Sequence, residues 1–255
     1  MLTAITRDVS DRLGYCELTF QPRVDIDTQL AIDQHREYQS VLSSLDCDIV
    51  NVPPAPDLPD SVFVEDTAIV LDEIAVLCMP GAESRRPEVA SVAEVLQEFR
   101  PLESIRLPGT LDGGDLLRVG RVIYAGLSTR SNREGIQQLS EITSRYGYAV
   151  EAVESRKCLH LKSAATQIAP ETLLINPDWA DASVFGSYQL IEVDAEEPHA
   201  ANAVRVGTSL VYPSSFPRTT DKLMQRGFDV MAVDLSELQK AEGAVTCCSL
   251  IVESE

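Results

Sequence analysis

The sequence predicts an α/β fold: a closed, five-bladed pseudo-symmetric α/β propeller whose fifth unit is shared between the N- and C-termini. Three observations lead there. First, the order strand, strand, loop, helix, strand occurs twice in succession. One copy runs through SVFVEDTAIV and EIAVLCMP to PGAESRRPEVASVAEVLQEF. The next runs through GTLDGGDLLRV and RVIYAGL to STRSNREGIQQLSEITSRYG. Second, the unit starts recur about every 45 residues, a spacing that signals structural repeats. Third, the last copy begins at TCCSLIV and runs out of chain. The N-terminal segment, with its helical stretch DTQLAIDQHREYQSVLSSL, can complete it. Closing such a ring removes exposed sheet edges.

The elements follow in order. Residues 51–60, NVPPAPDLPD, read as a loop, because proline fixes φ and removes donors. SVFVEDTAIV alternates and reads as a strand, with EIAVLCMP as its partner. A turn and a helical pattern follow. GTLDGGDLLRV reads as a strand with an acidic, glycine-rich entry. Weaker copies start at CLHLKSAATQIA, with LLIN as partner strand, and at AANAVRV, with SLVYP as partner and TTDKLMQRG as helix. The alternative is a non-repeating α/β fold. A length of 255 residues fits one domain spanning residues 1–255, with enough chain to bury a core.

Composition narrows the function classes. Hydrophobic residues make up 44% and charged residues 24%, ordinary values for a globular protein. No apolar run reaches the length of a membrane span. The opening MLTAITRDVSDRLGY lacks the features of a secretory signal, so a cytoplasmic location is expected. A formal net charge of -19 repels nucleic acid and anionic lipid and attracts cations. Neither a nucleic-acid nor a membrane partner is expected. The six cysteines form no CxxC pair and no zinc-like spacing, so reduced thiols and no structural metal are expected.

Equivalent strand starts in a ring point at one central channel. There stand Glu65 and Asp66 in the first unit, Asp112 in the second, His160 in the third, Asn202 in the fourth and Cys247 in the fifth. Each alone has a bland reading. A cysteine is usually an inert core residue, a lone histidine is usually structural, and Asp-Gly is a turn signal. Together they form a thiol, an imidazole and an orienting carboxylate, the parts of an activated nucleophile. Extra carboxylates raise a thiol pKa. They make sense if the substrate is a cation that neutralises them. A guanidinium bonded bidentately to carboxylates fits.

The blocks LPDSVFVEDTA, PGAESRR, TLDGGD, GLSTRSNREG, LHLKSA, AANAVRV and EGAVTCCSL resemble the dimethylarginine dimethylaminohydrolase family of the guanidino-modifying superfamily. That family has the pentein fold, a five-bladed α/β propeller. The resemblance implies Cys247, rather than Cys248, as nucleophile, His160 as general acid/base, and Asp112 as the carboxylate that holds both histidine and guanidinium. It implies that Asp60, Glu65 and Asp66 line the guanidinium site, with Phe63 nearby. It implies that Arg85 and Arg130 grip the substrate α-carboxylate at the mouth, a task that suits the planar arginine fork. Leu18 matches a lid residue, and Ala241 a backbone carbonyl that contacts the α-amine. Asp112 stands where some members carry Glu, a shorter reach with the same charge.

The implied reaction is hydrolysis of Nω-methylated arginines to citrulline and a methylamine through a covalent thiouronium on Cys247, with no metal and no cofactor. The expected partner is a small cationic guanidino substrate; the sequence leaves a homodimer open. Arginine deiminases resemble the chain less, since they carry an acidic residue where Lys162 stands. Three other readings stay open: another guanidino substrate, such as arginine; a non-catalytic guanidine-binding protein; and a metal site made by Cys247, Cys248 and His160.

Overall fold

The computed structural model describes residues 1–254. Its strands form five three-stranded sheets. β1 (Leu2–Thr6), α1 (Thr28–Ser44) and β2 (Cys47–Asn51) open the chain. The first full blade has β3 (Ala68–Val70), β4 (Ala75–Leu77), α2 (Glu88–Leu96) and β5 (Leu102–Ser104). The second has β6 (Leu116–Val119), β7 (Val122–Leu127), α3 (Arg133–Thr143) and β8 (Ala149–Glu154). The third begins with a single turn, α4 (Leu161–Ala164), then β9 (Ala165–Ala169), β10 (Thr172–Ile175) and β11 (Gln189–Glu192). The fourth has β12 (Val204–Val206), β13 (Ser209–Pro213), α5 (Pro217–Gln225) and β14 (Asp229–Val233). A short turn, α6 (Ser236–Gln239), and β15 (Leu250–Glu253) close the chain.

Each blade is an antiparallel pair extended by a parallel strand. In the fifth, β15 pairs antiparallel with β1, joining Leu2 to Glu253, and β1 pairs parallel with β2. The expected sharing of one unit between the chain ends is therefore observed. The helices return the chain to its parallel strand, as a parallel connection requires. Asp27 caps α1 by accepting from Leu30 N, and Asn132 caps α3 by accepting from Gly135 N. The third blade departs from the expected pattern: residues Ala182–Phe185 form only a 3-10 turn where a helix is expected.

The hydrophobic core is divided into five seams between neighbouring blades. Alternation along a strand explains the division, because successive side chains point to opposite faces. On β6, Leu116 joins the seam with the first blade and Leu117 the seam with the third. On β1, Ala4 and Ile5 split in the same way. Ile5, Val64, Ala75, Leu96 and Val252 seal the seam where the ring closes. Among the described residues, no helix is long and apolar enough to cross a membrane.

The strand entries differ from the sequence reading. SVFVEDTAIV and GTLDGGDLLRV are not strands throughout; a 3-10 turn precedes each strand, at Val64–Thr67 and Gly113–Asp115. Thr246–Cys248 makes the same turn before β15. These turns tighten the chain at the axis, and close packing explains the glycines. A Cβ on Gly113 would overlap the Glu65 carbonyl, and one on Gly114 would press the His160 ring. Tyr38 of α1, fully buried, donates to the Val245 carbonyl at 2.9 Å and pairs with Ser249 Oγ at 2.7 Å. It braces the turn that carries Cys247. Replacing Tyr38 by Phe leaves both partners without that hydroxyl, and urea unfolding should show a loss of about 1–2 kcal/mol.

Candidate active site

Eight of the eleven expected residues meet at one small cavity. It is lined by Asp60, Phe63, Asp66, Arg85, Arg130, His160, Ala241 and Cys247, among others, and its volume is about 10 Å³. That holds about one water. Cys247 is one of six free thiols and, unlike the other five, is only partly buried.

His160 lies between two buried carboxylates. Its Nε2 meets Asp112 Oδ2 at 3.0 Å, and its Nδ1 stands 3.7 Å from Asp66 Oδ1. The second distance is too long for a hydrogen bond, so Asp66 acts on Nδ1 by its charge alone. Burial alone would push the imidazole pKa down. The charge of Asp66, the bond to Asp112 and the charges of Asp115 and Asp112 outweigh it and raise the pKa to about 9. His35 shows the contrast: burial, with only a weak opposing effect from Asp8, lowers its pKa to about 4. His160 is thus an imidazolium at neutral pH. Asp66 is desolvated too, but His160 and Arg85 hold its pKa down to about 2.

Cys247 is held as a thiol. Burial raises its pKa well above the usual value, and the charges of Glu65 and Asp66 raise it further. Among the described residues, no hydrogen bond joins its Sγ to His160. Neither group is therefore poised as a thiolate–imidazolium pair in the ligand-free site.

Asp112 is fully buried and bonds the histidine, but it is not placed to meet a guanidinium in the cavity, the other half of its expected role. Its Oδ1 accepts from Gly81 N at 2.8 Å, and it lies behind His160 rather than in the cavity wall. Asp60 lines the cavity and accepts the Glu17 amide on both oxygens, at 3.2 and 3.1 Å. Leu18 packs partly buried against the seam between the fourth and fifth blades.

Two further expectations need correction. Glu65 does not line the cavity that holds Cys247. Lys162 Nζ binds its Oε1 at 2.5 Å and Thr246 Oγ1 donates to its Oε2 at 2.7 Å. This pair instead borders a cavity of about 260 Å³ on the other side, lined by residues from all five blades. Lys162 is the cause, because a buried carboxylate draws the nearest cation. Arg85 is not at an open mouth: it is 4% exposed. Its Nη1 binds Asp66 Oδ2 at 2.5 Å, its Nε and Nη2 bind Glu88 at 3.2 and 2.9 Å, and Nη2 also reaches the Asp60 and Phe63 carbonyls. Two facing interior carboxylates, Asp66 and Glu88, hold it in. Arg130 is different. Its Nη1 is buried and makes no hydrogen bond but stands 3.9 Å from Asp112 Oδ2, a long ion pair, and its Nη2 donates to Thr19 Oγ1 at 3.3 Å. Nη1 thus keeps its hydrogen-bonding capacity unused in the cavity wall, with only the distant Asp112 charge opposite it.

The sequence reading missed several residues of this neighbourhood. Asp115 accepts from Ser128 Oγ, Ser131 Oγ and the Leu161 amide, fixing the turn after His160. Burial raises its pKa to about 6. Its position inside TLDGGD was the available signal. Glu17 and Glu242 also belong to the cavity wall; Glu17 stands in no motif, and for Glu242 its place at the head of EGAVTCCSL was the available signal. On distance alone, Asp66, Asp112 and His160 could hold a metal ion. Arg85 and backbone amides already occupy the carboxylates. Cys248 is fully buried, with Sγ directed at the Ala244 carbonyl, so a site made by Cys247, Cys248 and His160 is not formed.

Comparison with known proteins follows this geometry. The family model described as N,N dimethylarginine dimethylhydrolase, eukaryotic, matches residues 17–253. The chain is 38% identical over 222 residues to the N(G),N(G)-dimethylarginine dimethylaminohydrolase of Pseudomonas aeruginosa, covering 86% of this chain and 87% of that one. It is 38% identical over 250 residues to the Streptomyces coelicolor protein of the same name, covering 97% and 95%. A structure of the Pseudomonas aeruginosa enzyme, a cysteine-to-serine mutant complexed with citrulline, superposes with a TM-score of 0.94 at 35% identity, covering 99% of this chain and 100% of that one.

The electrostatics give a direct test. By NMR, His160 should titrate near pH 9 and His35 near pH 4. Asp66→Asn should move the His160 midpoint down toward 6.5. Because the folded-state pKa is raised, the protonated ring stabilises the fold fully below about pH 6.5 and ceases to as pH rises through 9. The urea midpoint of the wild type should fall across that window, and that of Asp66→Asn should fall less.

Proposed function

The chain belongs to the dimethylarginine dimethylaminohydrolase family, and on that premise we propose that it hydrolyses asymmetric dimethylarginine and monomethylarginine to citrulline and a methylamine. The observation that carries this reading is a partly buried thiol and a carboxylate-held imidazolium lining one cavity, with Arg130 Nη1 free of hydrogen bonds in its wall. Residues 1–255 would act as one catalytic unit.

The mechanism uses the charges of the resting site. A guanidinium entering beside Asp66 offsets the negative charge that keeps Cys247 protonated, so on binding the thiol releases its proton to solvent water. The thiolate attacks the guanidinium carbon. His160, already protonated, gives its proton to the departing amine, and the C–N bond breaks. A thiouronium remains on sulfur. Water attacks it, His160 takes a proton back, the C–S bond breaks and citrulline leaves. Asp112 keeps the imidazole in place through both steps. The substrate α-carboxylate pairs with Arg130, while Arg85 acts from within by holding Asp66. The Ala241 carbonyl takes the α-amine, beside Asp60, and Leu18 belongs to the lid.

Lys162 contributes to specificity by standing where arginine deiminases carry a carboxylate. One acceptor fewer for guanidinium N–H groups suits a methylated nitrogen, which has fewer to satisfy. The net charge of -19 draws a cationic substrate toward the chain. A cytoplasmic location, where thiols stay reduced, fits the six free cysteines.

Citrulline release from asymmetric dimethylarginine, monomethylarginine and arginine should show turnover of the two methylated substrates and weaker turnover of arginine. Cys247→Ser should abolish it. No citrulline from folded wild type would reject the substrate assignment. Arg130→Ala should raise KM at least tenfold and change kcat less, since the α-carboxylate lies far from the reacting carbon.

A further inference from the structure

Residues 17–21 run past the cavity, which Glu17 lines, and are tied down on two sides. On one side, the Glu17 amide binds Asp60, Glu17 Oε1 accepts from Ser84 Oγ at 2.5 Å, and Thr19 Oγ1 accepts from Arg130. On the other side stands a single residue. Glu242 Oε2 accepts the Thr19 amide at 3.0 Å, and its Oε1 accepts the amides of Phe20 and Gln21 at 2.5 and 2.6 Å. Three successive backbone N–H groups thus converge on one carboxylate. That is the geometry of a backbone anion nest, here filled by a side chain of the same protein. All three bonds are charge-assisted.

The backbone around Glu242 is held for this task. Its φ is 59°, in the left-handed region that glutamate rarely adopts. Gly243 follows, packed so closely on Phe63 that a Cβ there would overlap the ring. Phe63 and Ala241 line the cavity beside it. The segment carrying Glu242 is therefore seated against the site, and the carboxylate has one direction to point. With these bonds made, the cavity of about 10 Å³ admits no amino acid.

We propose that Glu242 is the latch of the site: its carboxylate, seated in the amide nest of residues 19–21, holds the resting cavity shut, and entry to Cys247 requires those three bonds to break. The latch is a positioning residue and takes no part in bond making. It acts on access from solvent and on the escape of bound ligand, since both pass through the same opening. The inference rests on Cys247 as the reactive thiol of the proposed function only for its chemical readout.

The test replaces Glu242 by Asn, which tolerates the left-handed backbone and removes the charge. Two quantities are read in the full-length, ligand-free protein: amide hydrogen exchange at residues 19–21, and alkylation of Cys247 by iodoacetamide, located by fragment mass spectrometry. Both should accelerate at least tenfold, the effect of losing one charge-assisted bond, with exchange in the strands unchanged. Glu242→Gly should match it. Dissociation of citrulline, followed by stopped flow, should quicken as well. Unchanged exchange at 19–21, or faster exchange there without faster alkylation, would overturn the latch. So would faster exchange spread evenly over the strands, because it would mark general loosening. The exchange readout does not depend on substrate, so an inactive wild type would reject the proposed reaction and leave the latch standing on its own test.

Discussion

Burial of charge on the axis of the ring is the constraint on which the rest depends. Asp66, Asp112, Asp115, His160 and Arg85 all lie almost wholly out of water. Isolated charges in such a place would be very costly, so each must be matched by a partner or by hydrogen bonds. The fold supplies them from separate blades: Asp66 and Arg85 from the first, Asp112 and Asp115 from the second, His160 from the third. The five apolar seams hold those blades in register. A shift of one blade would strand a charge, which ties the stability of the ring to the geometry of the site.

The same arrangement explains why the site needs its substrate. With His160 held between carboxylates as an imidazolium, the protein has an acid ready for a leaving amine. The negative charge that keeps the imidazole protonated also keeps Cys247 protonated. The thiol has no base of its own. In the proposed mechanism a cationic substrate removes that obstacle by its own charge, so that reactivity and recognition of a guanidinium become one event. Arg85, drawn inward by Asp66 and Glu88, completes the charge balance of the resting state.

Much of this was legible in the sequence, for physical reasons that differ by element. The ring could be read because the first two units repeat strand, strand, loop and helix in order, and because TCCSLIV lacks a partner except at the N-terminus. The polar axial residues could be read because equivalent positions in a ring must converge. The 3-10 turns at Val64–Thr67 and Gly113–Asp115 could not, since an apolar alternation looks the same whether a strand begins at its first or its fifth residue. The inward turn of Arg85 depends on Glu88, one turn further along the chain, whose burial no periodicity announced. The contact of Glu242 with residues 19–21 uses backbone amides, which leave no mark on residue type.

The central claim is that the resting thiol of Cys247 is neutral and that the substrate's charge ionises it. Ultraviolet difference absorbance of the thiolate, wild type minus Cys247→Ser, measures this directly at neutral pH, with and without a non-hydrolysable alkylguanidinium ligand. The account predicts no thiolate signal from Cys247 in the free protein and its appearance when the ligand binds. A full thiolate signal in the free protein, unchanged by the ligand, would contradict it.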